Sequence, residues 1–382
     1  MNPQIKDSDI TICSNCVMDN SCDKKIFFDS KGKCNYCTAY VEREKTDLFL
    51  TEEQKKDLKA TIEKVKLDGK NKDYDCIIGL SGGVDSAMVA YIVKEELGLR
   101  PLAVHLDNGW NLELSVSNIE NIVKKLEIDL HTVVLDWEMF KNLHLSFLKS
   151  STINSEIPTD HAINALLFRI ANKEDVKYIF TGSNLSTEGI MPSEWCGYDN
   201  KDYKFIKGIS KRFGNNQLKG YPHLSLFYWF YYIMVKKIKF IPILNYRNYN
   251  KKESLKLLKK EIDFKPYGPK HSESIYTRFF QSYILPEKFK IDKRKPHLSS
   301  LINSGQCTRK EALEELAEDY YDKDQLEEDK NYIIKKLDIS TEDFEEIMSS
   351  PIQDFSDYPN NNFWFELFEP VVQYARRLTT LR

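Results

Sequence analysis

Residues 74–110 read YDCIIGLSGGVDSAMVAYIVKEELGLRPLAVHLDNGW. Residues 76–80 form an apolar run of strand length, two glycines follow, and apolar residues then recur at helical spacing until Gly98. A second apolar run occupies residues 102–106. This order of strand, glycine-rich loop, helix and strand is the basic unit of a parallel sheet.

The same alternation continues on the C-terminal side of this unit. The apolar pattern predicts helices at 115–126 and 160–172, and strands at 131–135, 177–181 and 240–244. With the two runs above, this gives five strands and intervening helices, so the sequence predicts a doubly wound, Rossmann-like α/β fold. Ligands of such sheets bind beyond the carboxyl ends of the strands.

The regions flanking the predicted sheet differ from it in composition. A cysteine-rich segment precedes the sheet, and a charged helix predicted at 51–66 connects the two. Beyond about residue 265 the pattern changes to helices, with helix starts at Thr308 and Ser340. We therefore expect a zinc-ribbon segment at 1–50, an α/β domain at 51–260 and a mostly helical substrate or partner domain at 261–382.

The overall composition is that of an ordinary globular protein. The chain has 382 residues, of which 30% are charged and 41% are hydrophobic, and its formal net charge of -3 creates no field that attracts nucleic acid. The polar beginning, MNPQIKDSDI, has no apolar core of a signal peptide. The longest apolar run, residues 224–235, is too short to span a bilayer. We expect a cytoplasmic protein whose thiols stay reduced.

Five of the eight cysteines lie within residues 12–37. Two Cys-x-x-Cys pairs supply the four thiolates that a tetrahedral zinc ion needs. A redox dithiol and unligated cysteines in a small core are the alternatives. Cys22 stands apart, as a replacement ligand or, more in keeping with its isolation, a bystander. We expect structural zinc on Cys13, Cys16, Cys34 and Cys37.

The loop SGGVDS at 81–86 has the features of an anion cradle. Its two glycines allow a sharp turn that presents backbone N–H groups, and the following helix adds its positive N-terminal end. No Gly-Lys-Ser/Thr ends the loop, so it is not a Walker A motif. An acidic Asp85 fits such a site only when it faces a cation. A plain strand-to-helix turn is the alternative interpretation.

This loop resembles the signature of the PP-loop ATP pyrophosphatases, which cleave ATP between its α and β phosphates. A second segment, TGSNLSTEG at 181–189, resembles the NAD synthetase loop in which a glutamate binds magnesium. The resemblance implies Mg²⁺ at Asp85 and Glu188, the two candidate catalytic residues, although Glu188 is equally compatible with an exposed loop carboxylate. It implies an ATP site formed by Ser81, Gly82, Gly83, Asp85, Ser86, Asp107, Gly182 and Ser183.

A narrower resemblance, to the N-acetyl sugar amidotransferases, covers almost the whole chain. It rests on the cysteine-rich segment, SGGVDS, TGSNLSTEGIMPSEW at 181–195 and KHSESIYTRFFQSYILPEKFKIDKRKPHLSSLINSGQCTR at 270–309. It implies that the chain converts the acetamido group of a nucleotide-linked sugar into an acetamidino group, for surface polysaccharides or flagellar glycans. It also implies separate glutaminase and cyclase-like subunits that supply ammonia.

Candidate contacts for the sugar nucleotide lie in the same segments. A basic cluster at 293–295, beside Arg278 and Arg309, suits a diphosphate, and a solvated basic loop is the alternative. Glu194 and Trp195 offer a hydroxyl acceptor and a stacking face. The aromatic run at 227–232 favours a core helix over a docking surface. The residues assigned to the substrate are Glu194, Trp195, Arg278, Lys293, Arg294 and Lys295.

The main rival is a zinc-ribbon tRNA thiolation enzyme. Such enzymes need further cysteines in the catalytic domain, and here Cys76, Cys196 and Cys307 remain, unpaired in sequence. The sequence pI near 6.2 also disfavours an RNA substrate. A non-catalytic interaction protein with a relict fold is disfavoured by the intact SGGVDS loop.

Overall fold

The computed structural model describes residues 10–196, 200–266, 273–319 and 321–368. Within them, five strands form one sheet in which every pairing is parallel. The strands are β1 (Cys76–Gly79), β2 (Pro101–Asp107), β3 (Asp129–Val134), β4 (Tyr178–Thr181) and β5 (Lys239–Pro242). Their order is β3-β2-β1-β4-β5, so the chain starts in the middle of the sheet and moves first to one edge and then to the other.

Helices pack on both faces of the sheet, as a buried parallel sheet requires. The helices of the α/β region are α1 (Asn35–Asp47), α2 (Glu52–Gly69), α3 (Val84–Tyr91), α4 (Glu113–Leu126), α5 (Trp137–Lys149), α6 (Ile157–Lys173), α7 (Leu185–Glu188), α8 (Ser193–Cys196), α9 (Tyr203–Phe213), α10 (Leu226–Phe230) and α11 (Lys251–Ile262). The C-terminal helices are α12 (Ile275–Phe279), α13 (Arg294–Asn303), α14 (Arg309–Ala317), α15 (Lys323–Leu337) and α16 (Thr341–Ser349).

Three segments continue helices with a wider, π-helical turn: Ile92–Glu96, Tyr231–Val235 and Phe280–Phe289. Two short 3-10 helices lie at Ile243–Tyr246 and Phe355–Asp357. Within the described residues, no helix is long and apolar enough to cross a membrane.

The apolar core is divided by the sheet. One buried cluster joins one face of the sheet to α3, α4 and α11, and another joins the opposite face to α6 and Trp229. A third cluster contains the cysteine-rich segment, α5 and the C-terminal helices α12, α15 and α16. The N-terminal and C-terminal parts of the chain therefore share one core beside the sheet.

The predicted fold class is confirmed. All five predicted strands are present, with boundaries that shift by no more than a few residues. The predicted helix starts at Thr308 and Ser340 are both capping boxes. The prediction of a core helix at residues 227–232 was wrong, because only Trp229 of α10 is buried, whereas Phe227 is 75% exposed. A run of consecutive aromatics on a helix faces all directions, so one flank alone reaches the core.

Candidate functional site

The SGGVDS loop lies between β1 and α3, at the carboxyl edge of the sheet. Gly82 has φ of +80°, and a Cβ there would lie 2.4 Å from the carbonyl oxygen of Ser115, so only glycine fits. The hydroxyl groups of Ser81 and Ser86 lie 3.1 Å apart. Gly83 begins α3 without a side-chain cap, which leaves the first turn of the helix open to an anion.

Asp85 faces the second predicted loop. The Tyr249 hydroxyl group donates a hydrogen bond to its carboxylate. Burial and the Asp85 carboxylate raise the pKa of Tyr249 well above its usual range, and Glu188 contributes in the same direction. A Cβ on Gly182 would lie 3.2 Å from Asp85 Cβ, so the two loops are in contact. Tyr249 therefore contacts Asp85 and lies within electrostatic range of Glu188. No local motif marks Tyr249 in the sequence, so it was not predicted.

Asp107 ends β2 and holds the turn that follows. Its carboxylate accepts hydrogen bonds from the Gly109 backbone at 2.9 Å and from the Asn111 side chain at 3.3 Å. His105 is buried, with its Nδ1 2.8 Å from the Leu80 carbonyl oxygen, as expected for a packed core histidine. Asp107, which the resemblance assigns to the ATP site, thus lies on the same sheet edge as the SGGVDS loop.

The loop after β4 is fixed by hydrogen bonds to α13. Asn184 caps α7 by accepting a hydrogen bond from the Thr187 backbone, while Ser183 and Glu188 are exposed. The Ile190 N–H donates to Ser300 at 2.9 Å. Two further contacts join α13 and its C-terminal cap to α7, both at 2.9 Å. His297 Nδ1 contacts the Thr187 carbonyl oxygen, and the Ser304 hydroxyl donates to the Ser186 carbonyl oxygen.

The four predicted metal ligands converge. Their sulfur atoms all lie within 4.8 Å of one another, and all four residues are buried. Opposite pairs lie 4.0 Å (Cys13 and Cys37) and 3.7 Å (Cys16 and Cys34) apart. Zinc–sulfur bonds of about 2.3 Å in a tetrahedron place sulfurs about 3.8 Å apart. The donor set therefore fits one tetrahedral metal ion.

Hydrogen bonds to sulfur support the same arrangement. Backbone N–H groups reach the thiolate positions, such as Cys34 N to Cys13 Sγ at 3.2 Å. The side-chain amides of Asn15 and Asn303 each donate to Cys37 Sγ at 3.3 Å. Cys22 is outside the four-cysteine cluster, and its Sγ lies 3.5 Å from an oxygen of Asp19.

The predicted basic cluster does not form one phosphate site. Arg278 pairs with the buried Asp329 at 2.8 Å, Arg294 pairs with Asp292 at 2.9 Å, and Lys295 pairs with Asp19 at 2.5 Å. Arg309 donates to the carbonyl oxygens of Cys13 and Cys16. Neighbouring residues at a helix start point in different directions, so each cation meets a separate partner.

Trp195 offers no open stacking face. It is 7% exposed, and its Nε1 donates to the Cys22 carbonyl oxygen at 2.8 Å. Glu194 lies near Tyr36, whose pKa its charge helps to raise. Both residues therefore pack against the cysteine-rich segment instead of a sugar site. Residues 270–272 of the quoted C-terminal segment and the side chain of Cys196 lie outside the described part of the chain.

A second group of polar residues lies at the carboxyl edge of the sheet. Asn108, just after β2, donates to Thr159 at 3.2 Å. Gln281 donates to Glu156 at 3.0 Å. Burial raises the pKa of Asp160 to about 7, Glu156 adds to this effect, and Lys293 opposes it. Lys293 is the one residue of this group that was predicted from sequence. Glu156 and Asp160 were not predicted, because acidic residues are common in the first turn of any helix.

The comparisons with known proteins match two separate parts of the chain. Residues 54–189 match the protein-family model described as NAD synthase. Residues 273–371 match the model described as LPS biosynthesis protein WbpG-like, C-terminal domain. Strands β1 to β4 and the glycine-rich loop fall in the first part, β5 lies outside both matches, and Gln281 and Lys293 fall in the second.

Individual relatives are distant. An uncharacterized protein of Methanocaldococcus jannaschii, MJ1599, is 26% identical over 45% of this chain and 59% of its own length. The tRNA-specific 2-thiouridylase MnmA 2 of Fusobacterium nucleatum is 32% identical over 29% of this chain and 34% of its own length. A solved NH3-dependent NAD synthetase from Campylobacter jejuni aligns with 17% identity and a TM-score of 0.29, covering 41% of this chain and 72% of that one.

The chain spans between about a third and three fifths of the length of the curated relatives it matches. The parallel sheet, the glycine-rich loop and the match over residues 54–189 identify an NAD synthase-like PP-loop domain in this part of the chain. More narrowly, the chain joins an NAD synthase-like PP-loop domain to a WbpG-like C-terminal domain of lipopolysaccharide biosynthesis.

Proposed function

We propose that the chain is an AMP-forming amidotransferase that acts on a nucleotide-activated N-acetyl sugar. The observation that carries the proposal is the combination, in one chain, of an NAD synthase-like module and a WbpG-like module of lipopolysaccharide biosynthesis. The first module accounts for the use of ATP, and the second for a substrate from surface-polysaccharide synthesis. Both contribute residues to the carboxyl edge of the sheet.

The SGGVDS loop is suited to holding the phosphates of ATP. Its tight backbone, the Ser81 and Ser86 hydroxyls and the N-terminus of α3 supply hydrogen bonds and positive potential without a lysine. Asp85 and Glu188 would hold Mg²⁺, since hard cations prefer carboxylate oxygens. Mg²⁺ supplies charge that stabilises the leaving pyrophosphate. Tyr249 fixes the orientation of Asp85.

The proposed reaction has two steps. The acetamido oxygen attacks the α-phosphorus of ATP, the bond to pyrophosphate breaks, and a cationic O-adenylyl imidate forms, whose nitrogen keeps the amide proton. Ammonia then adds to the imidate carbon, and AMP leaves with the electron pair of the broken carbon–oxygen bond. An activated imidate of this kind reacts with water as well, so the site must exclude water during the second step.

We propose zinc for the four-cysteine cluster, with a structural role. Four buried sulfurs around one point leave no open coordination position for a substrate. An iron–sulfur cluster is the alternative, in which each cysteine ligates a separate iron and the sulfurs lie farther apart. The separations of 3.7 Å and 4.0 Å favour a single ion.

tRNA thiolation is the second candidate, because two 2-thiouridylases are among the curated relatives. It requires sulfur chemistry at an accessible cysteine of the catalytic domain. Of the two cysteines in the predicted catalytic domain, Cys76 is the one whose side chain the structure describes. It is fully buried within β1, and burial raises its pKa well above the usual range. A buried, protonated thiol is a poor carrier of sulfur, which favours the sugar reaction.

Mass spectrometry tests the proposal. Nucleotide-linked N-acetyl sugars are incubated with the protein, ATP, Mg²⁺ and ammonium. We expect a product about one mass unit lighter, as NH replaces oxygen, with one AMP formed for each product molecule. Metal analysis of the same sample should give one zinc per chain. ADP in place of AMP, or iron with labile sulfide in place of zinc, would contradict these assignments.

A further inference from the structure

The N-terminus of α6 lies at the carboxyl edge of the sheet, where ligands of such folds bind. Only four residues separate the end of α6 from β4, so its C-terminus lies near the amino edge and its N-terminus points to the carboxyl edge. Leu167 of α6 contacts the end of β1, because a Cβ on Gly79 would lie 3.8 Å from its methyl groups. Asp160 precedes Leu167 by two helical turns on the same face, which places it about 10 Å farther along the helix.

The two family modules fix this helix start from both sides. From the NAD synthase-like module, Asn108 donates to Thr159 at 3.2 Å. From the WbpG-like module, Gln281 donates to Glu156 at 3.0 Å, and Tyr276 lies 2.7 Å from the Ser155 hydroxyl. Asp160 and its neighbours are thus held between the ATP-binding module and the module of polysaccharide synthesis.

Among the described residues, the groups that act on Asp160 or lie beside it come from three elements. Glu156 lies one turn earlier on the same helix, Lys293 lies just before α13, and Tyr221 contributes a neutral hydroxyl group that donates to the Pro158 carbonyl oxygen. Two carboxylates against one ammonium group leave one negative charge. Such a site favours the binding of a proton or a small cation.

Resting on the proposed function, we propose that Asp160 is the base of the second step. As the ammonia nitrogen bonds to the imidate carbon and the carbon–oxygen bond to AMP breaks, one proton leaves the nitrogen and is accepted by the Asp160 carboxylate. AMP takes the electron pair, and the sugar retains the protonated amidine. Glu156 and Lys293 are positioning residues that set the charge at this carboxylate.

The protonation behaviour of Asp160 suits this role. Its pKa of about 7 keeps a useful fraction of the carboxylate ionised at neutral pH, while making it a stronger base than an ordinary aspartate. Because the ionised form is active, the rate of amidine formation rises with pH through this pKa. Removing the negative charge of Glu156 lowers the pKa, and removing the positive charge of Lys293 raises it.

Two assays separate this inference from the proposed function. The first step is measured as the exchange of labelled pyrophosphate into ATP that depends on the nucleotide sugar. The second step is measured as amidine formation. We expect Asp160→Asn to retain exchange within about threefold while amidine formation falls about 100-fold. Asp73→Asn, the same change at an exposed position before β1, should alter neither. Asp160→Glu, which restores a carboxylate, should recover part of the lost rate.

The pH profile supplies a readout that a structural role would not produce. At a fixed concentration of free ammonia, Glu156→Gln should shift the acid limb of amidine formation to lower pH, and Lys293→Met should shift it to higher pH. Glutamine at 156 keeps the oxygen that accepts from Gln281. The inference would be overturned if Asp160→Asn lost pyrophosphate exchange together with amidine formation. It would also be overturned if the acid limbs of Glu156→Gln and Lys293→Met did not move in opposite directions. Absence of sugar-dependent exchange in the wild type would instead reject the proposed function.

Discussion

At the residue scale, the candidate ATP site combines contacts within the SGGVDS loop with contacts from distant parts of the chain. SGGVDS carries its own geometry, since Gly82 must adopt a positive φ and the serines bond within the loop. The partner of Asp85 is Tyr249, 164 residues away, and nothing near Tyr249 indicates that role. The basic cluster was misread for the same reason, because Asp19, which pairs with Lys295, lies 276 residues away.

Replacing Asp85 with Asn tests the metal assignment at this scale. The amide oxygen still accepts the Tyr249 hydrogen bond, so we expect the fold to be retained. Loss of the carboxylate removes a magnesium ligand, and AMP formation should fall about 100-fold or more. The measurement is AMP release at saturating Mg²⁺, together with thermal unfolding of the variant.

Glu95→Gln is the matched control for this variant. It removes an exposed carboxylate from the π-helical segment that continues α3, away from the glycine-rich loop. We expect activity within about twofold of the wild type, as is usual for surface substitutions. Normal AMP formation by Asp85→Asn would show that Asp85 is not needed for metal binding.

At the scale of elements, α13 connects the cysteine cluster to the second loop of the ATP site. On one side, Asn303 donates to Cys37 and Ser299 accepts from the Val17 backbone. On the other side, His297 and Ser300 hold α7 and the residues after it. No sequence pattern indicates that one helix contacts both sites, because the two faces use ordinary polar residues.

Cys34→Ser tests this connection. The change removes one of four ligands, so we expect loss of the metal and a lower unfolding temperature. Loss of metal and solubility should exceed the effect on ATP affinity, since the SGGVDS loop does not touch the cluster. The readouts are zinc content, thermal unfolding and ATP affinity in one preparation.

Cys22→Ser provides the control, because Cys22 is a buried cysteine of the same segment outside the cluster. It should keep one zinc per chain. Equal zinc loss in both variants would show that Cys22 takes part in the site, and full zinc retention in Cys34→Ser would remove Cys34 from the ligand set.

At the scale of the whole molecule, the parallel sheet and its flanking helices followed from the periodicity of apolar residues. The arrangement of the three regions did not follow from it, because the N-terminal and C-terminal parts share one core beside the sheet. The exposed aromatics of α10 show the limit of composition as a guide, since apolar residues occur on surfaces as well as in cores.

The source of nitrogen is the prediction that belongs to the whole chain. A glutaminase needs a cysteine nucleophile activated by a base. Among the described cysteine side chains, four converge as one cluster, Cys22 and Cys76 are buried, and burial with nearby glutamates raises the pKa of Cys307. We therefore expect the purified chain to form amidine with ammonium at raised pH and not with glutamine.

A partner that supplies ammonia would then restore the use of glutamine. Product analysis with each nitrogen source, on the same preparation, makes the comparison. Efficient turnover on glutamine by the chain alone would contradict the prediction and would indicate an intrinsic glutaminase site.

The contact between the cysteine-rich segment and α13 also bears on how the protein is made. Translation proceeds from the N-terminus, so the four cysteines leave the ribosome about 260 residues before α13. At about 5–20 residues per second, that interval lasts roughly 13–50 s. During this time the segment lacks the surface that Val17 and Cys37 contact in the finished protein. Capture of the ion by the nascent chain would protect four reduced thiols from oxidation until their permanent cover is synthesised.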